Sequence, residues 1–200
     1  MSAGLQAETM TMDEDALRAD CYRVLGRLFV AAPDAELLTR LAGAGSGGGD
    51  ALGAAWNELC AQAAKVGADD TALAALNDHY TELFCGIGAP QVVLYGSWYL
   101  TGSLMDTPLA QLRDDLAQLG FARDPEVHEP EDHFAALMEV LAMLVAEGRE
   151  EQVAFFQRHV APWYAGLCER LAQQEVSEFY RGAGRFARGF LDVERELMAA

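Results

Sequence analysis

The sequence predicts an all-α protein, a single-domain bundle of about eight to ten helices. Apolar residues recur at helical spacing along most of the chain, and no segment has the pattern of a convincing β-strand. Of the 200 residues, 52% are hydrophobic, and one buried core is expected at this length. Residues 1–200 are therefore expected to form one domain, in which residues 1–11 are flexible.

Helix signals begin near the N-terminus. Thr11 and Glu14 have the spacing of a capping box and predict the start of a first helix, which Pro33 closes. Asp50 is predicted to cap a later helix. The glycine-rich composition of the run 43–49 predicts a flexible surface loop. It is not a phosphate-binding loop, because the Lys-Ser/Thr pair that should follow the last glycine is missing.

In the second half, Asp106 and Pro108 predict the start of a helix that Gly120 ends. The most regular helix follows, and its apolar stripe consists of Phe134, Leu137, Met138, Leu141, Leu144 and Val145. Residues 85–102 and 121–131 fit neither a helix nor a strand. Irregular loops held by a rigid scaffold are common places for function.

The charge is strongly acidic, with 31 acidic and 14 basic residues and a net charge of −17. Such a surface repels phosphate backbones, so no nucleic-acid partner is expected, whereas a basic peptide would be attracted. The alternative is that the acidity only keeps the protein soluble.

Compartment signals point to the cytoplasm. The four cysteines are spread out and never form a Cys-x-x-Cys pair, which argues against a sulfur-ligated metal and favours a reduced protein. No apolar run approaches the roughly 18 residues of a membrane helix, and the acidic N-terminus lacks secretory features. We therefore expect a cytoplasmic protein without membrane insertion.

The first candidate segment joins a predicted helix end to the first irregular loop. Its candidate peptide-binding residues are Tyr80, Leu83, Phe84, Tyr95, Gly96, Ser97 and Tyr99. One interpretation is an aromatic groove, with backbone exposed at its glycines, that receives an apolar peptide. The alternative is that the aromatic residues anchor the core and Ser97 caps a helix. The core interpretation is favoured for Leu83 and Phe84, while both stay open for the loop residues.

The second candidate segment, 128–133, holds two imidazoles and three carboxylates. One hypothesis is a metal-dependent hydrolase centred on His128, Glu129, Asp132 and His133. The histidines lack the i, i+4 spacing of a zinc helix, and Pro130 keeps them off a shared helical face. The favoured interpretation is a helix N-terminus with Pro130 in its first turn and Glu131 and Asp132 near the helix dipole. We expect no metal and no catalytic residue.

Three segments in this order resemble the TorD/DmsD family of molybdoenzyme maturation chaperones, which is related to NarJ. The third segment is His159-x-x-Pro162-Trp163, whose histidine is predicted to be a packing residue. The family pattern has an aromatic-x-x-Leu-Phe helix end, an aromatic-Gly-Ser-x-Tyr turn, Glu-Pro-x-Asp-His, His-x-x-Pro-Trp and a late Phe-Tyr. The matching positions here are 80–84, 95–99, 129–133, 159–163 and 179–180.

The resemblance implies a TorD-like cytoplasmic chaperone, not an enzyme and without a cofactor. It implies binding of the twin-arginine leader and apo form of a molybdopterin oxidoreductase catalytic subunit, support for cofactor insertion, and delayed export. By motif match, Glu129, Asp132 and His133 lie in the peptide-binding region beside the aromatic groove. We hypothesise that Asp132 pairs with the leader arginines and that His133 orients Asp132 or caps the helix.

Some properties stay open from the sequence. The client could be of the dimethyl sulfoxide, trimethylamine oxide or formate dehydrogenase type. The loop before Glu129 could act as a hinge, so a monomer and a domain-swapped dimer are both compatible with the sequence. Val93 and Leu94 stand where the family often has proline, and the run 43–49 looks like an insertion.

Overall fold

The computed structural model describes residues 2–86, 90–124, 126 and 129–199, with side chains described from residue 14 onward. Over these residues the chain forms ten α-helices and no β-strand, which confirms the predicted helical bundle. The helices are α1 (Ser2–Val30), α2 (Ala35–Ala42), α3 (Ala51–Val66), α4 (Asp70–Tyr80), α5 (Gly96–Thr101), α6 (Thr107–Gln118), α7 (Phe134–Ala146), α8 (Glu151–His159), α9 (Tyr164–Gln173) and α10 (Glu178–Leu197). None of the described helices is long and apolar enough to cross a membrane.

The core forms around α1 and α7, which pack along each other, with α10 placed against α3 and α9. The apolar stripe predicted for α7 is buried. Phe29 of α1 contacts Phe134 of α7 edge to face, with ring centroids 5.2 Å apart. Each fully buried side chain of this size contributes about 1.5–3 kcal/mol relative to an exposed one.

Local capping explains most helix starts. Asp50 accepts a hydrogen bond from the Gly53 backbone N–H (2.7 Å), and Asp106 accepts one from Thr107 (2.6 Å), as predicted. Gly120 follows the end of α6 with φ +82°, a left-handed conformation that glycine adopts without strain. The expected flexibility of residues 1–11 and 43–49 stays a prediction.

Three predicted boundaries are wrong. Helix α1 begins at Ser2, not near Thr11, because the residues before Thr11 are mostly good helix formers. The irregular segment 85–102 contains the short helix α5. Helix α7 begins at Phe134, so Pro130 precedes the helix and does not occupy its first turn. The last two differences share a physical cause, a contact between segments distant in sequence.

Candidate functional site

The two irregular segments meet at residues 94–97 and 132–134, which we call the α5–α7 junction. The backbone N–H of Phe134 donates to the Leu94 carbonyl (2.7 Å), and that of Gly96 donates to the Asp132 carbonyl (3.0 Å). These bonds make an isolated antiparallel bridge between Tyr95 and His133. The structure therefore brings together the two sequence motifs that the resemblance places in one binding region.

Asp132 fastens α5 to this junction. Its Oδ2 atom accepts a hydrogen bond from the backbone N–H of Ser97, at 2.8 Å, and the residue is only 4% exposed. Ser97 therefore lies inside the first turn of α5 and does not cap it, and the capping group comes from 35 residues away. Asp132 Oδ1 and Ser97 Oγ are buried without a hydrogen-bond partner among the described residues.

His133 is the N-cap of α7, in agreement with one of the two predicted roles. Its Nδ1 atom accepts a hydrogen bond from the Ala135 backbone N–H at 3.2 Å, which requires that nitrogen to be unprotonated. Burial lowers the pKa of His133, and the nearby carboxylates of Glu129 and Asp132 oppose this shift. The ring also packs edge-on against Tyr95, at 5.2 Å between centroids.

Glu129 is an exposed acidic residue beside the junction. Its Oε2 atom accepts a hydrogen bond from the Tyr95 hydroxyl, and burial together with this carboxylate raises the pKa of Tyr95. Arg123 donates a hydrogen bond to the Glu129 backbone carbonyl (3.2 Å), so one guanidinium of the chain already lies beside this residue. Glu131 pairs with Arg113 (2.8 Å) and Arg123 (3.8 Å). Glu129 is exposed whereas Asp132 is buried, so the Glu129 carboxylate is the more accessible of the two to an external cation.

Two of the predicted groove residues, Tyr80 and Phe84, belong to an aromatic cluster beside the junction. Leu83 is fully buried and Phe84 is 9% exposed, so both are core residues, as favoured from the sequence. Phe84 packs against Tyr80 and Tyr180, with centroids 5.0 and 5.1 Å away. Tyr80 is half-buried and donates its hydroxyl proton to the Phe29 carbonyl (3.1 Å).

The third motif packs against α5 through Trp163. Tyr99 stacks on Trp163, with centroids 5.3 Å apart, and donates to the Val93 carbonyl (2.9 Å). Gly96 also lies on the Trp163 ring, where an added Cβ would be 3.0 Å from Nε1. His159 is buried and lies 2.7 Å from Asp115, as expected of a packing residue.

Sequence reasoning missed an exposed apolar turn at the far end of α5. Leu100, Leu104 and Met105 are 40%, 50% and 72% exposed. Met105 has φ +55°, a left-handed conformation that costs a non-glycine residue about 1 kcal/mol or more. The available signal was the presence of three large apolar residues around Gly102, where the segment expected to be irregular ends.

The hydrolase hypothesis requires His128, which lies outside the described residues. Within the described ranges, no group of three or more His, Cys, Asp or Glu side chains is placed to hold a metal ion. Asp132 and His133 each accept a backbone N–H in a cap, so two of the four proposed hydrolase residues already have structural partners.

Comparison with known proteins identifies the family. The nitrate reductase delta subunit family matches residues 48–169. The chaperone protein TorD of Vibrio cholerae serotype O1 is 24% identical over 132 residues, 60% of each chain. The Tat proofreading chaperone DmsD of Salmonella typhi is 30% identical over 118 residues, 57% of each chain. The chain thus spans about 60% or less of the length of these curated relatives.

A solved structure shares the fold. It is that of a candidate redox enzyme maturation protein from Archaeoglobus fulgidus, with 20% identity and a TM-score of 0.58. The similarity covers 92% of this chain and 94% of the other. Because the family match extends over more than half of the 200 residues, the chain belongs to the nitrate reductase delta subunit family, as its resemblance to TorD, DmsD and NarJ predicted.

Proposed function

We propose that this protein is a cytoplasmic maturation chaperone, not an enzyme. It binds the twin-arginine leader and the apo form of a molybdopterin oxidoreductase catalytic subunit, supports cofactor insertion and delays export. The observation that carries the proposal is the α5–α7 junction, where two family motifs present Glu129 beside Tyr95. The chaperone names of TorD and DmsD relatives support the same conclusion.

Charge complementarity favours a twin-arginine peptide. A net charge of −17 raises the rate at which a cationic peptide meets the surface. At the junction, a guanidinium can form a charge-assisted hydrogen bond with the exposed Glu129 carboxylate, while Tyr95 holds that carboxylate in place. We therefore assign the arginine contact to Glu129.

Asp132 then has a positioning role. Its burial and its bond to Ser97 favour a cap that fixes α5 over the direct arginine contact hypothesised from the sequence. His133 does the same for α7. The two caps keep Tyr95 and Glu129 at a fixed place between the helices, which lowers the ordering cost of binding.

The apolar stretch of a leader needs an exposed apolar surface. The predicted groove residues Leu83 and Phe84 are buried, so they serve as support. We assign the apolar contact to the turn formed by Leu100, Leu104 and Met105, one short helix away from Glu129. The strained backbone at Met105, which keeps a large apolar side chain in solvent, supports this assignment.

The test is calorimetric titration of the full chain with a synthetic twin-arginine leader at two salt concentrations. We expect micromolar or tighter binding that weakens with salt. The same peptide with both arginines replaced by glutamine should bind at least tenfold more weakly. Absence of binding to leaders of all three client types would overturn the proposal.

Matched variants locate the contact. Glu129→Gln should weaken leader binding, whereas Glu196→Gln, an exposed glutamate near the end of α10, should not. Metal analysis of the purified protein separates the chaperone from the hydrolase. A stoichiometric metal whose removal abolishes an activity would favour the hydrolase.

A further inference from the structure

Arg170, on α9, differs from the other arginines of the chain in having no carboxylate partner among the described residues. Every other arginine forms an ion pair with an Asp or Glu side chain. The Arg170 guanidinium instead lies over the Trp98 ring of α5, with its central carbon 4.6 Å from the ring centroid. In a chain with 31 acidic residues, this cation is therefore left available to an external acceptor.

The helix surfaces that meet beside Arg170 carry no competing carboxylate. No residue in the range 83–105 is charged, so the whole of α5 is neutral. Helix α9 approaches α5 at Gly166, where an added Cβ would lie 3.3 Å from Tyr99, and Arg170 follows one turn later on the same face. Glu169, the one acidic residue of α9, is the sequence neighbour of Arg170, so it is rotated about 100° around the helix.

The position over Trp98 leaves the hydrogen-bonding edge of the guanidinium free. A cation over an indole is attracted through the ring face, whereas the five N–H donors of arginine lie around the edge of the guanidinium plane. Trp98 is half-buried and Arg170 is exposed, so these donors face water. The contact also restricts the side chain before a ligand arrives, which lowers the entropy lost when a carboxylate binds in a bidentate manner.

An exposed apolar surface lies close to this cation. Leu100, Leu104 and Met105, at and after the end of α5, are 40%, 50% and 72% exposed. Trp98 and Leu100 are two residues apart in one helix, about 3 Å along its axis. We call Trp98, Arg170 and these three apolar residues the α5–α9 surface, which combines one unpaired cation with apolar area that a peptide could cover.

We propose that Arg170 gives the α5–α9 surface a preference for peptides that carry a carboxylate beside their apolar residues. The carboxylate accepts N–H groups from the edge of the guanidinium, while the apolar side chains cover Leu100, Leu104 and Met105. The inference rests on the proposed function for the identity of the peptide, a twin-arginine leader. Elsewhere on the protein the net charge of −17 opposes an acidic residue, so the preference should be confined to one part of the peptide.

The experiment is a glutamate scan of a leader that binds in the titration above. One glutamate, or in the matched peptide one glutamine, is placed in turn at each position within and beside the apolar stretch. At one or two positions the glutamate peptide should bind about tenfold more tightly than its glutamine counterpart, a difference typical of one charge-assisted interaction. At all other positions the glutamate peptide should bind equally well or more weakly.

Substitutions of the arginine test its assignment. Arg170→Gln should abolish the preference for glutamate at the favoured positions. Arg170→Lys keeps the charge but loses the planar fork, so it should keep only part of the preference. Arg185→Gln is the matched control, because Arg185 is an exposed arginine that pairs with Glu58 on another part of the surface, and it should show the full preference.

A measurement without a leader separates this inference from the proposed function. The tetrapeptide acetyl-Leu-Leu-Glu-Leu-amide and its glutamine counterpart are titrated into the ¹⁵N-labelled full chain. The signals observed are the Arg170 side-chain N–H, assigned by its loss in Arg170→Lys, and the Trp98 indole N–H. The glutamate peptide should shift both signals to saturation, and the glutamine peptide should shift the Arg170 signal much less.

Two results of the scan would overturn the inference. They are a leader that binds without a glutamate preference at any position, and a preference that persists in Arg170→Gln. If no leader binds, the proposed function fails and the tetrapeptides decide the inference. A saturable shift specific to the glutamate peptide would then support it, whereas equal or absent shifts with the two peptides would overturn it.

Discussion

Replacing Asp132 with alanine removes the carboxylate that caps α5. In the wild type, the Ser97 N–H lies 2.8 Å from Oδ2 of Asp132, a residue that is 4% exposed. In the variant, this N–H would be left buried without a partner. Loss of a cap costs about 0.5–2 kcal/mol, and an unsatisfied buried donor costs about 1–3 kcal/mol. Both ranges describe the same bond, so we expect the free energy of unfolding to fall by about 2 kcal/mol.

Urea unfolding followed by circular dichroism measures this loss. The midpoint should fall while the m-value stays constant, because the surface exposed on unfolding is unchanged. In thermal unfolding the midpoint should fall by about 4–8 °C for a chain of this size. Asp132→Asn keeps an oxygen that can accept the Ser97 N–H, so its loss should be less than half as large.

Leader titration then separates positioning from charge recognition. Asp132→Asn should retain the salt dependence of wild-type binding. Glu129→Gln should keep wild-type stability, since the residue is exposed, but should weaken leader binding about tenfold, or about 1.4 kcal/mol. If Asp132→Asn keeps its stability and loses the salt dependence, while Glu129→Gln binds normally, the assignment of roles is refuted.

Three further perturbations act on neighbouring contacts. Gly96→Ala places a Cβ 3.0 Å from Trp163 Nε1, so it should lower the free energy of unfolding by about 1–3 kcal/mol in urea and weaken leader binding. Because burial lowers the pKa of His133, the unfolded state binds the proton more tightly, and stability should fall as pH drops through and below 6.5. His133→Asn preserves an N-cap without titrating, so urea midpoints measured between pH 7 and 5 should depend less on pH. Arg18 lies 2.7 Å from the carboxylate of Glu194, which is 1% exposed. Glu194→Ala removes this buried partner, so the free energy of unfolding measured in urea should fall by about 3–5 kcal/mol.

Each of these predictions has a control or a contradicting result. Gly49→Ala has no atom within 4 Å of the added Cβ and should leave stability unchanged. A Gly96→Ala protein as stable as the wild type would show that α5 can move away from Trp163 freely. An unchanged pH slope in His133→Asn would assign the dependence to other groups, such as His159, whose pKa burial also lowers. Wild-type stability of Glu194→Ala would contradict a structural role for its ion pair.

Most helices could be predicted because their signals are local. Asp50 and Asp106 cap the helices that directly follow them, and the apolar stripe of α7 has regular helical spacing. Such information lies within a few residues of the feature that it predicts. It does not depend on how the chain folds back on itself.

The wrong helix predictions occur where a contact between residues distant in sequence determines where a helix begins. Helix α5 has six residues, too few to be stable alone, and its cap comes from Asp132. The same contact draws residues 130–132 away from the start of α7. No local rule relates Ser97 to a carboxylate 35 positions away, so α5 and the start of α7 were misassigned together.

The sequence predicted which motifs lie together, but it did not predict which of their side chains are buried and which are exposed. Six residues, 128–133, offered five ionisable side chains of similar appearance. Burial separates them, since Asp132 is enclosed at the junction whereas Glu129 faces solvent. Burial is a property of the folded core, so sequence reasoning could not foresee that Asp132 caps α5.

Under the proposed function, the junction also constrains the peptide that it accepts. Helix α5 separates Tyr95, which holds Glu129, from the apolar turn around Met105, and its six residues rise about 9 Å. An extended peptide covers this distance in about three residues. A leader whose apolar stretch begins a few residues after its arginines can therefore reach both surfaces at once. Asp132 and Trp163 hold α5 in place, so under the proposed function one peptide has to satisfy two contacts whose separation is fixed.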